Sequence, residues 1–252
     1  MAGMLMLHVL TMIIGLLFGG FANACIDHFS KKTNFWKIMT CETCNARHSF
    51  RDMVPLVSFL LLKGRCRSCG AKVNIQYPLV ELANGVLYVI VFMANGWNLQ
   101  SAIYCLMTSA FLVISIVDEK TFEIPLACNL FIAGLGIVWC MIDYHNLISY
   151  LIGFVCVSGA LYLLYIITGG ALIGGGDVKL MAAAGLLLGW KDATLAFFLA
   201  CILGSVIHVI RMKVSKKAEH VLAMGPYLCM ALWICALWGD KMIEWYLHFL
   251  IS

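Results

Sequence analysis

Eight apolar stretches divide the chain, at residues 4–25, 78–95, 99–117, 126–142, 147–167, 178–190, 193–210 and 224–239. The longer ones match the roughly 20 residues that an α-helix needs to cross a hydrocarbon core, where the backbone must satisfy its own hydrogen bonds. The shorter ones need flanking residues, or a tilted or partly reentrant path. The first stretch could pass for a signal peptide, yet no Lys or Arg precedes it and it is long for an h-region, so it reads as a retained span. The pattern predicts an all-α polytopic membrane protein with about eight transmembrane helices. Six or seven spans with reentrant pieces is the competing count.

Composition agrees. Of 252 residues, 63% are hydrophobic and 12% charged, with a mean hydropathy of +0.94. That excludes a water-soluble enzyme, a nucleic-acid binder and a disordered tail. The net charge of +4 matters only through its placement. Residues 26–77 carry nine of the seventeen basic residues: Lys31, Lys32, Lys37, Arg47, Arg51, Lys63, Arg65, Arg67 and Lys72. Positive charge marks the cytoplasmic side. With alternating spans that side also receives Lys120, Lys179, Arg211, Lys213, Lys216 and Lys217, against Lys191 and Lys241 opposite, a split of fifteen to two. The expected organisation is a first helix over 1–25 with its N-terminus outside, a cytoplasmic loop over 26–77, and a membrane domain over 78–252.

Eight of the twelve cysteines lie in or beside apolar runs and read as small hydrophobes. The other four form two pairs in the polar loop, Cys41-Glu42-Thr43-Cys44 and Cys66-Arg67-Ser68-Cys69. Two CxxC knuckles supply four thiolates to one tetrahedral Zn²⁺ and leave no position for water, so such a site is structural. The ion would replace a core that a loop of this size cannot build. Lys63, Arg65 and Arg67 would offset its negative charge. Disulfides or redox-active dithiols are the alternatives; a reducing cytoplasm disfavours the first, and the lack of a βαβ pattern the second.

In so apolar a chain each carboxylate beside a span needs a reason. Asp118 ends the third span, and Asp177 follows Gly174-Gly175-Gly176. Both fall at cytoplasmic helix ends and can meet. Two aspartates sharing one site can split a peptide bond, one deprotonating a water while the other, kept protonated by its neighbour, hydrogen-bonds the carbonyl. The glycines permit close backbone approach to an extended substrate. Without a following GK[ST], a phosphate loop is not indicated. Singly, Asp177 could be a helix cap and Asp118 a turn residue before Pro125. Glu119 and Glu123 share the Asp118 loop and are expected to be solvated.

These motifs resemble a known family. Gly174-Gly175-Gly176-Asp177-Val178-Lys179 is similar to the GxGD motif of intramembrane aspartyl proteases. Asp118 with Ile124-Pro125, the knuckle loop, Tyr77-Pro78-Leu79-Val80-Glu81 and Gly225-Pro226-Tyr227-Leu228 resemble the bacterial type IV prepilin peptidases. Leu126 stands where that family often has Asp, and the first knuckle lacks a proline often found there. The resemblance implies an inner-membrane enzyme that uses Asp118 and Asp177 to cleave the basic leader of prepilins or pseudopilins at the cytoplasmic edge. It also implies methylation of the new N-terminus from S-adenosylmethionine, for which Glu81 is the one candidate residue. The implied partners are pilin-like substrates and membrane lipid, with no nucleic acid. No histidine is assigned a role. An ion-coupled transporter and a noncatalytic assembly factor are the rival readings; a transporter would place its carboxylates near the midplane of related halves, and no internal repeat is visible.

Overall fold

The computed structural model describes residues 2–32, 43–44, 61–214 and 223–251. Among them the apolar stretches all become helix: α1 (Ala2–Lys31), α2 (Gln76–Asn95), α3 (Leu99–Thr121), α4 (Leu126–Ile142), α5 (Leu147–Thr168), α6 (Gly175–Leu188), α7 (Trp190–Val214) and α8 (Gly225–Ile251). A 3-10 turn, Tyr144–Asn146, precedes α5. Hydropathy underestimates the ends. α1 runs past residue 25 to Lys31, and α8 past 239 to Ile251, because a helix continues into polar sequence where side chains reach water.

Among the described residues, five helical segments are long and apolar enough to cross a membrane: Gly3–Lys31, Gln76–Asn95, Leu99–Thr121, Tyr144–Thr168 and Trp190–Lys213. Leu126–Ile142 is apolar but shorter. The chain is thus a polytopic membrane protein by length and composition. α6 has 14 residues, about 21 Å at 1.5 Å per residue, less than the hydrocarbon core of about 30 Å.

The chain divides into two compact units, Met1–Val113 and Ile114–Ser252. In the first, α1 packs along α2, and polar side chains join the helices. Asn84 is fully buried, donates from Nδ2 to the Gly15 carbonyl at 2.7 Å, and accepts from Ser109 Oγ at 3.0 Å. Tyr77 ties the start of α2 to the end of α1, its hydroxyl donating to Asp27 Oδ2 at 2.5 Å while its carbonyl accepts from Asn23 Nδ2 at 2.9 Å. Asp27 also pairs with Lys31 at 3.0 Å, so its buried charge is compensated.

In the second unit α6 is the central element, packed by α4, α5, α7 and α8. Leu180, Met181, Ala184 and Leu187 are fully enclosed, which is why a short helix with a weak apolar stripe is stable here. Gly185 faces Gly153 of α5 so closely that a Cβ on either would strike the other's backbone, the small-residue contact that lets membrane helices approach. α5 turns its other side outward, exposing Leu151, Ile152, Val155 and Leu163. Between α4 and α5 the Tyr150 hydroxyl donates to Asp143 Oδ2 at 2.6 Å and Asn146 Nδ2 to the same oxygen at 3.0 Å; these bonds hold the Asp143 carboxyl below the usual range.

Candidate active site

Three chain segments build the site. α3 ends one turn beyond Asp118, where Phe122 donates its N–H to the Asp118 carbonyl at 2.8 Å and takes a left-handed φ of 55°. Ile124 and Pro125 then lead into α4, with Pro125 extended at the helix N-cap. Gly169, left-handed at φ 59°, stops α5, and the loop after it delivers Gly174, the N-cap of α6. Asp177 sits in the first turn of α6, its N–H bonded to the Gly174 carbonyl at 3.1 Å. The α6 dipole favours negative charge there.

Asp118 and Asp177 open into one cleft of about 340 Å³, lined also by Phe122, Glu123, Ile124, Leu126, Lys179 and Gly174–Gly176. Asp118 is 5% exposed. Its Oδ2 accepts the backbone N–H of Gly225, the first residue of α8, at 2.9 Å, a bond that favours the charged carboxylate. Asp177 lies just before the apolar stretch of α6. Burial first, then the charge of Asp118, push its carboxyl from 3.8 up to about 6, against a lowering bond from the Gly174 backbone. Two carboxyls in one cleft with unequal surroundings hold one proton between them readily.

Two supporting features have no local signal in the sequence. Gly225-Pro226-Tyr227-Leu228, a family likeness in sequence, brings a helix N-terminus onto Asp118. Asn129 on α4, 3% exposed, directs Nδ2 at the Gly176 carbonyl at 3.5 Å, one residue before Asp177, and its Oδ1 is buried with no partner among the described residues. Nothing marks it in the sequence, because an asparagine in an apolar run reads as an isolated polar residue. Gly176 itself lies against Ile124, whose Cβ would stand 2.9 Å from an added Cβ, so the two loops meet at that glycine. Glu119 was expected to be solvated; it is exposed, and it forms an ion pair with Arg211 of α7. Glu123 lines the cleft.

In the first unit the sulfurs of Cys44, Cys66 and Cys69 lie within 4.8 Å of one another. Cys41 lies outside the described residues. Cys66 and Cys69 are presented by a tight loop in which Gly70 donates to the Cys66 carbonyl at 2.9 Å and Cys66 to that of Ala71 at 2.8 Å, flanked by an antiparallel bridge between Arg65 and Lys72. Gly64 and Gly70 take the left-handed φ values, 69° and 71°, that this loop needs. Zn–S bonds of about 2.3 Å in a tetrahedron set sulfurs about 3.8 Å apart, so this donor set fits zinc. Glu81 is elsewhere in that unit, half-buried where α2 crosses α1, with its Cα 2.6 Å from the position of a Cβ on Gly19.

Comparison with known proteins agrees with this anatomy. Residues 13–95 match the Bacterial Peptidase A24 N-terminal domain, and residues 105–209, which include Asp118 and Asp177, match the Type IV leader peptidase family. The chain is 33% identical over 216 residues to the prepilin leader peptidase/N-methyltransferase of Aeromonas salmonicida, covering 82% of this chain and 73% of that one. It is 29% identical over 272 residues to the protein of the same name from Pseudomonas aeruginosa, covering 95% and 93%, and 29% over 271 residues to that of Neisseria gonorrhoeae, covering 94% of each. No solved structure matches the chain. With a bacterial N-terminal domain followed by the peptidase region, and relatives aligned over most of its length, the chain belongs to the type IV leader peptidase family.

Proposed function

We propose that this protein cleaves the leader of type IV prepilins or type II secretion pseudopilins and methylates the N-terminal amine that cleavage frees, with Asp118 and Asp177 as the catalytic pair. The observation that carries the chemistry is the shared cleft, where Asp118 accepts a helix N-terminal N–H and Asp177 is held at a raised pKa of about 6. Asp118 takes a proton from water as its oxygen attacks the scissile carbonyl carbon, while the Asp177 carboxyl gives its proton to the carbonyl oxygen. In collapse, the amine nitrogen takes the proton from Asp118 as the C–N bond breaks, and a hydroxyl of the diol returns a proton to Asp177. The family membership argues against the transporter reading.

The charge split supports eight crossing segments in the bacterial inner membrane, with the N-terminus outside and the cleft facing the cytoplasm. A substrate with an apolar stem in the bilayer would then present its scissile bond at the cytoplasmic edge. Cys41, Cys44, Cys66 and Cys69 would hold one Zn²⁺, which would fix the 26–77 loop and, with four thiolates, leave no open position for water. We assign methyl transfer to that loop and cleavage to residues 78–252. S-adenosylmethionine supplies the methyl group, and Glu81 is the residue proposed to help hold it. Incubating the purified protein in detergent with a prepilin and S-adenosylmethionine, then weighing the products, tests both steps. The expected products are a free leader and a mature chain heavier by one methyl group; an intact prepilin overturns the proposal.

A further inference from the structure

Phe122 occupies the residue after α3, where the chain must turn left-handed to leave the helix, with φ 55°. Glycine is the usual residue there, because a Cβ clashes with the backbone in this conformation and an aromatic residue tolerates it poorly. The turn needs no side chain of its own: the Phe122 N–H bonds the Asp118 carbonyl, and Thr121 Oγ1 accepts from the Glu123 N–H at 3.3 Å. Yet Phe122 is not packed away. It is 47% exposed and lines the cleft together with Ile124, Leu126 and the glycines that precede Asp177. Strain kept where it is avoidable, four residues from a carboxylate in the same cleft, points to use.

We infer that Phe122 is a specificity-determining residue whose ring, with Ile124 and Leu126, receives an apolar side chain of the substrate directly beside the scissile bond. The inference rests on the assignment of Asp118 and Asp177 as the reacting pair. A wall contacted equally in the bound and reacting states changes KM and leaves kcat alone, whereas a loop that merely misplaced Asp118 would lower kcat.

The test uses the full-length protein in detergent with two pairs of synthetic leader-junction peptides, carrying Phe or Ala at the position before or after the cleaved bond. For Phe122→Gly the expected results are a melting temperature no lower than the parent's and a kcat within about twofold. KM for the Phe peptide should rise about tenfold or more, the scale for one apolar side chain in a pocket. Preference for Phe over Ala should collapse at one of the two positions. Phe122→Leu should restore part of that preference. Unchanged discrimination at both positions, or a loss confined to kcat, overturns the inference. Failure of the underlying assignment looks different: Asp177→Asn would then still cleave the Phe peptides.

Discussion

The backbone N–H of Gly225 points at the carboxylate of Asp118, 2.9 Å from Oδ2, across 107 residues of sequence. A side chain at residue 225 would collide with that oxygen, since an added Cβ would lie 2.6 Å away. Pro226 follows in the first turn of α8, where its missing N–H is no loss. The two residues together leave one donor free at a helix N-terminus and aim it at Asp118, a carboxyl 5% exposed to solvent.

Gly225→Ala should therefore cut cleavage about tenfold or more while the protein still folds, because the methyl group displaces either α8 or the carboxylate and a charge-assisted hydrogen bond is lost. Initial rates with a prepilin peptide, beside a melting curve in the same detergent, measure this. A variant with the parent's rate would mean that the contact is incidental.

The Asp177 carboxyl should titrate near 6, followed by infrared difference spectroscopy of ¹³C-labelled aspartate. In Asp118→Asn the neighbouring charge is gone and the value should fall, though not fully to 3.8, because burial is the larger cause. The sign for stability follows. A carboxyl with a raised folded-state pKa favours the folded protein at low pH, and that contribution is lost as pH rises from about 4 through about 6. A titration unmoved by Asp118→Asn would show that the two carboxyls do not share a field.

Cys66→Ser and Cys44→Ser should each lower bound zinc well below one equivalent and reduce the yield of folded protein, since three thiolates hold the ion less tightly and the loop's folding is linked to it. Metal analysis of purified protein decides this. Methylation should suffer at least as much as cleavage. Full zinc occupancy in both variants would rule out the four-cysteine site.

Much of this architecture is legible in the sequence because its main signals are one-dimensional. Apolar length gives a helix at every predicted stretch, and CxxC spacing brings Cys66 and Cys69 to one tight turn. Asp118 and Asp177 stand out because charge is scarce. What the sequence hides depends on packing between distant segments. Hydropathy does not separate α6, central in its unit and about 21 Å long, from the longer helices around it. No local pattern gives Gly225 its task, since its partner is 107 residues away, nor directs Asn129 to the Gly176 carbonyl. Glu119 reads as solvated until Arg211, at the far end of α7, is placed beside it.

A double-mutant cycle on cleavage decides whether Asp118 and Asp177 act as one unit. Rates of leader removal are compared for the parent, Asp118→Asn, Asp177→Asn and the double variant, with Glu123→Gln as a control in the same cleft. Each single variant should lose nearly all activity, the double variant should be scarcely worse than either, and Glu123→Gln should be far milder, as expected for groups that work on one proton. Asp177→Asn cleaving at close to the parent rate while Glu123→Gln fails would instead place the second carboxylate in the loop that follows Asp118.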